Sequence, residues 1–202
     1  MKKLVFVMLS IFGLSACTMP ETKIYSIYPN PSPASSVIKE ETKGVSGKLS
    51  DASLVVIVNS PRYLSQPYIA YRNSPYQLEI SKYSKWESSP NDIVKRVLKD
   101  SLSAEGIFKE VRDSAIVPEG FYSLEIDLKK FERYDEGNNS YGELVLDAKL
   151  LSPGNEELKR IAISKRVNLE DRSFLGLAKG LSHAVDDAVQ EIREALIINI
   201  RK

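Results

Sequence analysis

The sequence predicts an α+β fold, a two-layer domain in which a mostly antiparallel or mixed sheet of about five to six strands carries two helices on one face. Three observations point to it. Leu54-Val55-Val56-Ile57-Val58 is an unbroken apolar run, the signature of a strand covered on both sides. Over Tyr122–Leu128, and again over Leu144–Leu150, the apolar residues recur every second position. Two further segments, from Ser89 and from Ser173, place theirs at steps of three and four. An apolar helix stripe needs an apolar face to cover, which layers helix on sheet.

Taken in order, Ile24 to Tyr28 alternates apolar and aromatic residues and is expected to add a short strand at 24–28. Leu54 to Val58 belongs at the sheet centre and stops at Asn59-Ser60-Pro61. Tyr68–Tyr71 and Tyr76–Ile80 flank Asn73-Ser74-Pro75, a turn signal, and are read as a hairpin. Ser89-Pro90-Asn91-Asp92 announces a helix: a hydroxyl to cap, a proline for the first position and a carboxylate at the positive end of the dipole. Ile93, Val94, Val97, Leu98 and Leu102 form its apolar stripe, and Gly106 suits the left-handed stop. Ile107–Val111 is read as a strand completing a crossover with Leu54–Val58. Tyr122, Leu124, Ile126 and Leu128 then alternate with Ser123, Glu125, Asp127 and Lys129. Turns at Asp135–Ser140 and Ser152–Asn155 connect this strand to two more, giving an antiparallel meander. The last helix, from about Ser173 to Ile200, sets Phe174, Leu177, Leu181, Ala184, Val185, Ala188, Ile192 and Leu196 along one stripe.

The first residues have a different purpose. Lys2 and Lys3, the apolar run Leu4–Leu14, and small residues at Ser15 and Ala16 follow the order of a secretory signal, with a core too short to span a bilayer. Leu14-Ser15-Ala16-Cys17 resembles the lipobox of bacterial lipoproteins. This implies cleavage after Ala16 and a diacylglycerol and an N-acyl chain on Cys17, where a thiol is required to form the thioether. Cys17 is the only cysteine, so the mature chain forms no internal disulfide. Thr18, where inner-membrane lipoproteins tend to carry Asp, favours the periplasmic face of the outer membrane. The expected organisation is a signal peptide over 1–16, a lipidated N-terminus and Pro/Ser-rich tether over 17–48, and one globular domain over 49–202. Roughly thirty tether residues would extend near 100 Å if wholly unstructured.

Composition narrows the function. Without Lys2 and Lys3 the chain has 26 basic and 27 acidic side chains, and its basic pairs are dispersed, which argues against nucleic acid as a partner. The sole histidine, His183, lies three and four positions before Asp186 and Asp187, a helix-surface arrangement. One histidine and one lipidated cysteine leave no zinc ligand set. Neither a catalytic constellation nor a metal site is read, and the chain is expected not to be an enzyme.

Pro61-Arg62-Tyr63-Leu64-Ser65-Gln66-Pro67-Tyr68-Ile69-Ala70-Tyr71-Arg72 resembles the LPxYLDRPQIVxR signature of the ABC-type transport auxiliary lipoprotein family. Trp86 and Arg96-Val97-Leu98 resemble that family's RWAEPL tryptophan and following RVL helix, and Tyr25-Ser26-Ile27 its early YxL segment. The departures are Ser65-Gln66 for Asp-Arg, Tyr68 for Gln, and a proline displaced to Pro90. The resemblance implies a non-catalytic auxiliary component working with an MCE-domain protein and an ABC permease complex in lipid transport, and a ring-shaped partner favours a cyclic homo-oligomer. Arg62, Tyr63, Leu64, Tyr68, Arg72 and Trp86 are the candidate partner-binding residues, being of types that concentrate interface energy, although strand aromatics also fill cores. Two other classes remain open: an outer-membrane regulator of peptidoglycan synthesis, and a lipid-binding carrier.

Overall fold

The computed structural model describes residues 20–29 and 51–200. The signal sequence, Cys17, Thr18 and the Pro/Ser-rich stretch 30–48 lie outside the described residues. The elements in chain order are β1 (Lys23–Tyr25), β2 (Ser53–Asn59), a 3-10 turn (Arg62–Ser65), β3 (Tyr68–Ser74), β4 (Gln77–Trp86), α1 (Pro90–Glu105), β5 (Glu110–Asp113), β6 (Tyr122–Glu136), β7 (Asn139–Leu151), β8 (Glu157–Asn168) and α2 (Phe174–Ile200).

The class is α+β as expected, with both helices on one face, but the sheet has eight strands among the described residues rather than five to six. β6 organises it. One edge of β6 pairs along its length with β7, which pairs with β8, giving the expected antiparallel meander. The other edge is shared: β2 runs parallel to Tyr122–Asp127, and β3 runs parallel to Glu132–Tyr134. From β2 the sheet continues to β5 in parallel, so the crossover through α1 is realised. From β3 it continues antiparallel to β4, then parallel to β1.

A bulge between Leu128 and Lys130 changes the phase of β6. Before it, Leu124, Ile126 and Leu128 face the helices; after it, Phe131 does, opposite Leu144. Glu132 is thereby turned to the other face. Beneath α1 and α2, the core joins these residues to Val56, Leu98, Leu102, Leu181 and Ile192. α1 keeps its local signals: the Ser89 hydroxyl accepts from Asp92 N at 3.2 Å, and Gly106 stops the helix at φ 64°.

Three expected boundaries shift. The strand expected at 24–28 is Lys23–Tyr25, after which Ile27 is buried and the amide of Tyr28 donates to Ser182 Oγ at 3.0 Å on α2. β5 is Glu110–Asp113 instead of Ile107–Val111, because Phe108 turns into the core before pairing begins. The hairpin strands run longer than their apolar cores, since pairing continues through the polar residues Arg72–Ser74 and Ser81–Lys85.

Candidate docking surface

Pro61 ends the exit from β2 and nucleates the 3-10 turn, where Leu64 N donates to Pro61 O at 3.0 Å. The turn drops Leu64 fully into the core. It also aims Tyr63 along the sheet, so that its hydroxyl donates to Glu132 Oε2 at 3.1 Å and stands 3.3 Å from Lys129 O. From β3, Arg72 Nε reaches Glu132 Oε1 at 2.7 Å. Glu132 itself is fully buried. A carboxylate removed from water costs several kcal/mol unless paired and hydrogen-bonded, and here one guanidinium and one phenol serve both oxygens. Burial, then the Glu132 charge and hydrogen bond, push the Tyr63 hydroxyl up to about 12.

Of the six residues read as partner-binding, Leu64 and Trp86 are corrected to core positions. Trp86 is 2 % exposed and meets the Phe131 ring edge-on at 5.5 Å, while its amide donates to Pro67 O at 2.8 Å. Tyr63 and Arg72 are partly buried and committed to Glu132. Arg62 and Tyr68 remain at the surface, Tyr68 with the Lys85 ammonium 6.0 Å from its ring centre. The 61–72 segment is thus an anchored structure in which, of the six candidates, Arg62 and Tyr68 face outward.

Sequence reasoning missed Glu132, the residue on which the segment closes. The signal was present: the Lys129-Lys130 doublet followed by Phe131 breaks the period-two pattern and marks the bulge. It also missed Arg133, whose guanidinium lies 5.1 Å from the ring centres of both Tyr71 and Phe174 on the helix side. Arg133 bonds Asp135, and Asp135 also accepts from Ser140 Oγ at 2.5 Å.

A concavity of about 570 Å³ opens between α1, α2 and the arm that follows β1. Ile27, Val97, Ala104 and Val189 line it, and Arg96 and Arg193 stand at its walls. Arg193 pairs with Glu105 at 2.8 Å, and Arg96 with Glu87 at 2.5 Å. Glu87 also accepts from Ser26 Oγ at 2.7 Å, clipping the arm in place; this bond, then Arg96, holds its carboxyl below the usual range. Asp186 on the α2 wall is raised, chiefly by burial and then by Asp187.

His183 is exposed on α2. Among the described residues no three or more His, Cys, Asp and Glu side chains gather to hold a metal, and no helix is long and apolar enough to cross a membrane.

A family model described as the ABC-type transport auxiliary lipoprotein component matches residues 38–193. No curated protein matches the sequence. Among solved structures, a protein from Xanthomonas campestris superposes with a TM-score of 0.70 at 19% identity, covering 88% of this chain and 96% of that one. An uncharacterized protein superposes with a TM-score of 0.66 at 14% identity, covering 88% and 99% respectively. A minor lipoprotein from Acinetobacter baumannii gives 0.46 at 11% identity over 75% of this chain and 96% of its own. Identities this low show a shared fold in the first two cases.

Proposed function

Because the chain belongs to the ABC-type transport auxiliary lipoprotein family, we propose that it is a non-catalytic envelope lipoprotein, anchored through Cys17 at the periplasmic face of the outer membrane, that docks an MCE-domain protein of a lipid-transport system. The match over residues 38–193 carries this reading. The closed 61–72 segment supports it by making a rigid platform, since the buried Glu132 fixes both ends of the signature through Tyr63 and Arg72. Arg62 and Tyr68 are then the contacts left to a partner, and both are residue types that dominate interface energy. Energy for transport comes from the ABC complex, and a cyclic homo-oligomer would repeat the platform around a ring-shaped partner. Pairing of β1 with β4 from Lys23 onward leaves few residues to extend from Cys17, which favours docking beside the membrane over reaching through peptidoglycan.

Affinity purification of the full chain from envelope membranes tests the reading. MCE-domain and permease proteins should co-purify, and Arg62→Ala with Tyr68→Ala should deplete them while leaving the fold intact. Recovery of the chain without either class of protein overturns it.

The concavity between α1, α2 and the arm favours one second reading, a lipid carrier, because its volume lies in the range of ligand pockets. Organic extraction of the purified chain followed by mass spectrometry tests it. A carrier yields a stoichiometric lipid beyond the acyl chains on Cys17.

A further inference from the structure

β1 starts six positions after Cys17. Six extended residues reach at most about 20 Å. Given the anchored reading above, on which this inference rests, the β1 edge of the sheet stands within that distance of the bilayer. Its side chains are unusual for this molecule. Ile24, 69% exposed, pairs in register with Lys85, whose ammonium lies 6.0 Å from the Tyr68 ring centre, so the three form a row across β1, β4 and β3. The row faces away from the helices, because the next residues, Tyr25 and Trp86, turn to the core side. Tyr83 is 47% exposed, and Lys82 beside it is also exposed.

The lysines here lack an acidic partner. Farther along the uncovered sheet face several basic side chains are paired: Lys129 with Asp147, Lys130 with Glu143, and Arg166 with Glu136. Lys82 and Lys85 form no salt bridge among the described residues. Exposed aromatic and aliphatic side chains beside an ammonium group without an acidic partner match the chemistry of a lipid interface, where rings settle at headgroup depth and lysines extend to phosphate. We propose that Ile24 and Tyr83, with Lys85, form a membrane-facing surface that rests on anionic lipid headgroups. The acyl anchor holds this surface at high local concentration, so a weak contact suffices to orient the domain.

The test uses the acylated full chain in phosphatidylethanolamine–phosphatidylglycerol vesicles, with phosphatidylcholine vesicles as comparison. Because the lipid consumes the Cys17 thiol, Ile24→Cys, Tyr83→Cys or Ser164→Cys each supplies a unique site for an environment-sensitive fluorophore. Ser164 is exposed on β8, five strand spacings or about 24 Å from β1 across the sheet. Aqueous iodide should quench the label at 24 and 83 severalfold less than at 164 on anionic vesicles, and Lys85→Glu should sharply narrow the difference. Equal quenching at all three sites overturns the inference. Protection that follows protein concentration and ignores phosphatidylglycerol also overturns it, by assigning the patch to a protein partner. Intact mass separates these failures from the deeper one: an unmodified Cys17 removes the anchor itself.

Discussion

Arg72→Met should be among the most damaging single changes at the surface-proximal end of this sheet, although Arg72 is a surface-accessible side chain. Its partner Glu132 is fully buried, whereas the Arg72 side chain retains 21% exposure. Breaking a buried pair by removing one member costs about 3–5 kcal/mol, since the other charge is stranded. Two features reduce that here: Tyr63 still donates to Glu132, and water can enter where the guanidinium stood. We expect about 2–3 kcal/mol, or a fall in Tm of some 4–12 °C for a domain of this size. Glu132→Leu should cost about 1–2 kcal/mol, because Arg72 can turn to solvent and Tyr63 keeps Lys129 O as an acceptor. The double variant should lie within about 1 kcal/mol of wild type, since an apolar pair of similar volume replaces a desolvated ionic one. Trp86, the only tryptophan, packs on Phe131 next to Glu132 and supplies the fluorescence signal for urea unfolding of all four proteins. If the double variant loses the sum of the single losses to within about 0.5 kcal/mol, the two side chains are uncoupled and the account of the closed segment fails.

Alkaline pH probes the same cluster. The Tyr63 hydroxyl ionises near 10 in the unfolded chain but only at about 12 when folded, so its stabilising contribution is whole below pH 10 and is lost between 10 and 12. Tyr63→Phe should therefore show a shallower loss of stability across that window, and identical slopes would refute the shift. Gly180→Ala brings two effects into opposition: about 1 kcal/mol of helix propensity is gained, but the new methyl would lie 2.5 Å from Leu169 Cδ2, an overpacking that costs about 1–3 kcal/mol. A net loss is expected, relieved in Gly180→Ala with Leu169→Val, and a raised urea midpoint in the single variant would contradict it. Ser89→Ala should cost about 1 kcal/mol by freeing the Asp92 amide, while Ser89→Gly costs a few tenths; far-UV melting curves that rank the two the other way would reject the cap.

The elements most legible in the sequence were those whose determinants are local. α1 carried its cap, its proline, its stripe and its glycine within eighteen residues, from Ser89 to Gly106. The meander was legible for the same reason, since alternation and turns recur in sequence. What sequence did not reveal was partner choice. Nothing in β2 or β3 states that both lie along one edge of β6, because that pairing is decided by chain segments dozens of residues apart. The candidate surface suffered likewise. Leu64 and Trp86 have the composition of interface anchors, but that composition is equally that of a core, and only the fold placed them beneath α1 and against Phe131. Arg72 announced a charge without its buried counterpart, whose position depended on one bulge.

The bond from Tyr28 N to Ser182 Oγ joins residues 154 positions apart, and the β1 pairing with β4 spans about sixty. The first of these contacts is entropically late, since most of the chain must be placed before it forms. The Tyr28 end of the arm therefore waits for α2, the last described element in chain order. The arm follows the first described strand in chain order, yet its bond to Ser182 forms only once α2 is in place. Folding thus closes like a drawstring: completion of α2 draws the arm after β1 against the finished sheet, and a truncated product lacking that helix leaves the arm without its Ser182 fastening.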